Sequence, residues 1–176
     1  LSRGLGDVYK RQVRELCSAV SRECSKYGYE PVMLTDQLCC QAKEAGSFLA
    51  SIAKTHCKSG KKLAYIAGGE TVVNITGHGK GGRNQEIALS AAEGIKGMSN
   101  AAVFSIGSDG TDGPTDAAGG YSDGDTAGVL KNKGIDIFEV LKNNDAYNAL
   151  KLTEGLIITG PTGTNVNDVS VLLISD

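Results

Sequence analysis

LAYIAGGETVVNITGHGKGGRNQEIALSAA, residues 63–92, decides the fold. It begins with a short apolar run, 63–67, that stops at Gly68 and Gly69. A stretch rich in β-branched residues follows, 71–76, and then the glycine-dense turn 77–82. Beyond it, residues 83–92 carry small and apolar side chains at helical spacing. A short apolar run closed by glycine reads as a buried strand, and the second stretch reads as a helix. Strand, glycine-rich loop and helix in succession is the unit from which layered α/β domains are built.

The same alternation extends both ways. On the N-terminal side, Val13, Leu16, Cys17, Val20, Cys24 and Tyr27 follow the i, i+3, i+4, i+7 rule of an amphipathic helix, which Gly28 ends. Residues 31–34 read as a strand. Asp36 is placed to cap a second helix carrying Leu38, Ala42, Ala45, Leu49, Ile52, Ala53 and His56 on one face. The polar turn 58–62 marks a boundary, because glycine density rises just past it. On the C-terminal side, 101–106 and 169–174 read as buried strands, 156–159 as a third, and 138–141 and 146–150 as short helices. The short links between 63–67 and 71–76, and between 156–159 and 169–174, predict hairpins. The expected architecture is therefore α/β: a three-layer α/β/α domain with a mixed, partly antiparallel sheet, preceded by the tail of a second α/β domain. Residues 1–12, LSRGLGDVYKRQ, show no apolar periodicity and no Met start, and are expected to be a non-native leader.

Composition removes several functions. With 18 basic against 20 acidic residues the net charge is −2, so no basic field draws nucleic acid or an anionic membrane. Trp is absent and aromatics make up 5%, which leaves little for base stacking. No apolar run approaches the ~18 residues of a membrane-spanning helix. Five cysteines, at 17, 24, 39, 40 and 57, form neither a disulfide framework nor a zinc pattern, and suit a reducing cytoplasm. Glycine is the outlier: of 24, 14 lie between residues 61 and 126. Clustered glycine inside a folded pattern signals tight turns and close backbone approach, often to a ligand.

Three glycine-rich loops follow strands, where ligand sites gather in open α/β sheets. The first, 77–86, satisfies the letters G-x-G-x-x-G at Gly77, Gly79 and Gly82, but lacks the acidic residue about 20 positions on that would complete a dinucleotide fingerprint. What remains is a row of amides at a helix N-terminus with Lys80 and Arg83 beside it, a cradle for an anion or phosphate. Arg83 can fork onto a phosphoryl group. The second loop, 107–125, gathers Asp109, Asp112, Asp116, Asp123 and Asp125 without a basic side chain. Carboxylates so close invite a cation, with Mg²⁺ fitting better than Ca²⁺, or a proton-accepting role for Asp109 or Asp112. The third, 159–168, offers hydroxyl and amide groups, with Asn165 and Asn167 two apart. Glycine-rich amides, one Arg and an acidic cluster point to phosphoryl transfer more than to acyl transfer or redox chemistry.

Five blocks carry a resemblance: GGET at 68–71, GKGGRNQE at 79–86, SDGTDGPTDAAG at 108–119, NDAY at 144–147 and TGPTGTNVND at 159–168. They resemble the MOFRL domain, the C-terminal part of type II glycerate 2-kinases, a family often labelled hydroxypyruvate reductase. The resemblance covers about 62–174; it implies that 61–176 is a MOFRL domain and that 13–60 is the tail of the family's N-terminal kinase domain. It implies phosphorylation of D-glycerate to 2-phosphoglycerate with ATP and Mg²⁺, in a cleft between two domains. It also implies a catalytic Arg, matched by Arg83, and a catalytic Lys in a segment this chain lacks. The chain alone is therefore expected to be inactive. Gly81, Gly82, Asn84, Glu70, Thr162 and Asn165 are the expected substrate- or phosphate-binding residues, Asp109 and Asp112 join Arg83 as catalytic candidates, and Asp112 and Asp116 are the expected metal ligands. Ser108 stands where relatives usually carry Thr. Two other readings stay open: an NAD(P)H-dependent hydroxypyruvate reductase, and a non-catalytic ligand-binding module.

Overall fold

The computed structural model describes the backbone of residues 2–176 and the side chains from residue 11 onward. In chain order the elements are α1 (Ser2–Lys26), β1 (Glu30–Leu38), α2 (Ala42–His56), β2 (Leu63–Gly69), α3 (Arg83–Gly94), β3 (Ala101–Gly107), β4 (Gly119–Asp123), α4 (Thr126–Asn132), α5 (Ile137–Lys142), α6 (Ala146–Leu152), β5 (Leu156–Ile157) and β6 (Asp168–Ile174). The strands form one sheet in the order β1-β2-β6-β3-β4-β5; β1 runs parallel to β2 and every other neighbouring pair is antiparallel.

The sheet is mixed and helix-covered on both faces, as the alternation predicts. In β6 the period of two separates the layers. Val169 and Val171 join Ala64 and Ile66 against Val13 and Cys17 of α1, whereas Leu172 and Ile174 join Leu63, Tyr65 and Val103 against α2 and α3. Burial, aided by Asp36, pushes the Cys17 thiol up to about 11, so it packs as a small hydrophobe. The α2–α3 contact needs glycine at Gly46, where a Cβ would lie 2.2 Å from the Ile87 carbonyl oxygen. The outer side of α3 is covered by α4, α5 and α6 through Ala88, Leu89, Leu130, Ile137 and Leu150. Residues 30–56 thus share the sheet and core with the segment beyond residue 61.

Several local expectations are corrected. Residues 71–76 are not a strand: β2 is already flanked by β1 and β6, so the segment leaves the sheet and keeps one bridge, Val72 to Gln41. The departure is made at Gly69, whose φ of +146° brings it against the Leu38 backbone. The 156–159 and 169–174 strands do not pair either; β5 is a two-residue edge beside β4, while β6 lies between β2 and β3. Asp36 caps nothing: it sits in β1 and accepts a 2.7 Å bond from Arg14 Nε, and α2 begins at Ala42 behind Gln41. Helix α1 starts at Ser2, well before Val13. Of the expected leader, Leu1 and the side chains of 2–10 lie outside the described residues.

Candidate functional site

The antiparallel register sets Asp168, the first residue of β6, opposite both Gly69 and Gly107, where the parallel-running β2 and β3 end. The N-terminus of α3 opens at the same end of the sheet. Arg83, the first residue of α3, meets Asp168 there. Its Nε donates to Asp168 Oδ2 at 2.5 Å and its Nη2 to Oδ1 at 3.2 Å, while Nη1 donates to Glu70 Oε1 at 2.7 Å. Burial of the guanidinium disfavours its charge, yet the Asp168 fork and Glu70 more than offset that and raise the pKa of Arg83 above its ordinary value. Burial pushes the Asp168 carboxyl up as well, opposed by the same fork. Three of the five N–H groups of Arg83 are engaged, so two remain for a ligand.

Two cavities meet at this side chain. The larger, about 760 Å³, has an apolar wall of Val72, Val73 and Ile75 on the 71–76 strap, with Pro114. Its polar side carries Gly81, Gly82, Arg83, Glu86, Asp112 and Asn144. The smaller, about 280 Å³, is lined by Ser108, Asn165, Asn167 and Asp168. Glu70, Arg83, Asp109 and Thr111 border both. Of the expected residues, Glu70, Gly81, Gly82, Arg83, Asp109, Asp112 and Asn165 are therefore brought together.

Asn84, Thr162 and Asp116 are not among the residues lining either cavity. Asn84 is buried beneath α3, where its Oδ1 accepts from Ser105 Oγ and ties the helix to the sheet. Thr162 braces its own loop by donating to the Ser108 carbonyl. Asp116 Oδ1 accepts from the Tyr147 hydroxyl at 2.8 Å, which holds its carboxyl below the usual range. Asp112 also differs from expectation. Its carboxylate caps α3 from another loop: Oδ1 accepts from the Asn84 amide and side chain, and Oδ2 from the Gln85 amide at 2.9 Å. Burial nonetheless pushes its pKa up, because removal from water outweighs these bonds. The expected metal pair is thus not assembled, with Asp112 on the cavity wall and Asp116 against Tyr147. Among the described residues, no three His, Cys, Asp or Glu gather in a way that would hold a metal ion.

The G-x-G-x-x-G letters also find another use. A Cβ on Gly77 or Gly79 would meet Asn143 or Asp145 at 2.4 Å, and one on Gly82 would meet Asp112 at 2.3 Å. Most loop amides turn inward rather than toward a phosphate. The Thr76 and Gly77 amides donate to Asn144 Oδ1, Gly79 to the Asn143 carbonyl and Lys80 to Asp145 Oδ1. Among the described residues the Gly81 and Gly82 amides have no such partner, which narrows the expected cradle to these two and Arg83.

Four contributors lie outside the expected set of site residues. Asp168 is legible as a charge opening a buried strand, which demands a cationic partner. Asn144 adopts φ +56°, and besides the two amides it accepts, its Nδ2 donates to the Asn74 carbonyl and to Glu86 Oε1 at 2.9 Å. Glu86 is 4% exposed on the cavity wall. Burial raises its pKa, partly opposed by Asn144 and Lys43. Thr71, 3% exposed on the same cavity, has a hydroxyl with no partner among the described residues. Such an orphan costs roughly 1–3 kcal/mol.

Comparisons with known proteins show the family of the chain. Residues 63–168 match the model of the MOFRL family. The chain is 51% identical over 166 residues to a D-glycerate 2-kinase of Thermotoga maritima, covering 92% of this chain and 40% of that protein. It is 45% identical to a glycerate 2-kinase of Pyrococcus horikoshii, covering 90% of this chain and 37% of the relative. The crystal structure of a glycerate kinase from Thermotoga maritima superposes with a TM-score of 0.88 at 51% identity, over 92% of this chain and 40% of that one. The chain thus spans about two fifths of the length of these relatives.

Proposed function

This chain belongs to the MOFRL family, and we propose that it forms part of a glycerate 2-kinase that phosphorylates D-glycerate at the 2-hydroxyl at the expense of ATP. The observation that carries the reading is Arg83 at the junction of two cavities, oriented by Asp168 and Glu70 and next to the unpaired amides of Gly81 and Gly82. Phosphoryl transfer asks little covalent chemistry of a protein and much positioning and charge stabilisation. Arg83 supplies that charge without having to reorganise, because Asp168 already fixes its plane. The attacking hydroxyl loses its proton as its oxygen bonds to the γ-phosphorus, and the bond to ADP breaks. Asp109 takes the proton in this reading. It borders both cavities and, among the described residues, only its Oδ1 is engaged, by the Thr111 amide, whereas both oxygens of Asp112 are bonded. Of the expected Mg²⁺ ligands, Asp112 is committed to the start of α3 and Asp116 to Tyr147. Five free cysteines support a reducing, cytoplasmic setting, and no helix among the described residues is long and apolar enough to cross a membrane.

The test joins this chain to the rest of the Thermotoga maritima relative and follows glycerate-dependent ADP formation. Arg83→Ala lowers kcat by about 10³-fold or more, and Arg83→Lys also falls sharply because an ammonium cannot fork. Full turnover in either variant removes Arg83 from the chemistry. The chain without the added part is expected to show no measurable transfer. NADH consumption with hydroxypyruvate in place of ADP formation would overturn the kinase reading.

A further inference from the structure

We infer that Glu86 is the hydroxyl-recognition residue of the larger cavity, accepting hydrogen bonds from vicinal hydroxyls of the bound ligand through Oε2. Glu86 lies three residues after Arg83 on α3, so both side chains leave the same helix face, one turn apart. Arg83 offers donors to an anion; an ionised Glu86 offers only acceptors. That pairing suits a molecule with an anionic group a few atoms from a pair of hydroxyls, and it repels an anion from the Glu86 end. Among the groups on the cavity wall, Glu86 is built for recognition rather than for cohesion. Only Oε1 is held, by Asn144 Nδ2 at 2.9 Å, while Oε2 has no partner among the described residues and is not sealed from the cavity. Asn144 is itself fixed by two amides and a carbonyl, which pins Oε1 and so the direction of Oε2. Thr71, at the root of the strap, lines the same cavity and carries a buried hydroxyl without a partner among the described residues.

Two ligands of the proposed reaction carry this chemistry: glycerate, with adjacent hydroxyls, and the ribose of the nucleotide. The inference rests on the kinase reading for that choice only. The test is isothermal titration of the chain with two pairs, D-glycerate against D-lactate and ATP against 2′-deoxy-ATP, using native protein and Glu86→Gln. The Gln variant keeps an acceptor for Asn144 and replaces the second oxygen with a donor. The native chain is expected to prefer the diol-bearing member of one pair by at least about tenfold. Glu86→Gln abolishes that preference while shifting the Tm by less than about 3 °C. Preference within the first pair assigns the subsite to the acid, and within the second to ribose. Absence of preference in both pairs, absence of binding, or a preference that survives Glu86→Gln overturns the inference. If the Gln variant does not fold, Glu86→Asp, which withdraws the oxygen by one methylene, takes its place with the same outcomes. A Glu86-dependent preference in the chain, with no glycerate-dependent ADP formation by the protein joined to the rest of the Thermotoga maritima relative, would sink the kinase reading and leave this one standing.

Discussion

The two walls of the larger cavity are built in opposite ways. On the α3 side the polar side chains are held by many bonds: the Asp112 carboxylate accepts three, Asn144 makes four, and Arg83 donates three. On the strap side, 71–76 is anchored at its two ends, by the Val72 bridge to Gln41 and by Asn74 and Thr76 to the 142–144 turn, but leaves the Thr71 hydroxyl without a partner among the described residues and exposes Val72 by 55% and Ile75 by 79%. A wall held by many directional bonds keeps donors and acceptors where chemistry needs them. A wall that leaves a hydroxyl unpartnered and apolar side chains exposed offers surface to a ligand and less fixed geometry. The difference teaches that recognition here is divided, with geometry from α3 and adaptation from the strap.

Breaking the rigid wall should have the larger consequence. Asp112→Ala strips the cap from α3 and leaves the Asn84 and Gln85 amides unpaired in a buried place. We expect a loss of about 2–3 kcal/mol, seen as a Tm lower by about 5–10 °C; a shift within a few degrees would show that the wall does not depend on its cap. Glu86 sharpens the contrast through pH. Its folded pKa lies above the unfolded value, so its stabilising contribution is present below the ordinary 4.5 and lost as pH rises through the folded value. Glu86→Gln lacks that loss. The Tm difference, variant minus native, should therefore be more positive at pH 8 than at pH 4, and a difference independent of pH would mean that burial does not act on this carboxyl. Ile75→Ser on the strap should change stability by less than about 0.5 kcal/mol. A larger loss by thermal melting would show that the strap is already packed.

The layer architecture was legible because it depends on burial, and burial leaves a period. The runs at 63–67, 101–106 and 169–174 all became strands. Pairing was not legible. Residues 71–76 have strand composition, but β-propensity reports fit to a half-buried pleated surface, and both edges of β2 were taken. The β4 strand was hidden by its glycines. Gly119 and Gly120 read as loop, yet a Cβ at Gly119 would lie 1.9 Å from the Ser105 carbonyl oxygen, so glycine is there to let strands approach. Arg83 was legible as a lone cation among acids, and its partner was the less visible half. Asp168 is the last letter of a polar loop in sequence, and only the sheet register brings it to the guanidinium. Asp112 was legible as a carboxylate but not in its role, because a cap supplied from 28 residues away leaves no local signature.

The central place of β6 has a consequence for how the chain comes into being. The strand that separates β2 from β3 is made about a hundred residues after β2 ends. During synthesis β2 and β3 emerge with their facing edges open, and no local contact can close them. Loop closure over such a distance is slow, and open strand edges invite pairing with other chains. The same strand carries Asp168, so the arginine acquires its partner in the event that completes the sheet. A nascent chain halted before residue 168 would lack a finished core and an oriented guanidinium together.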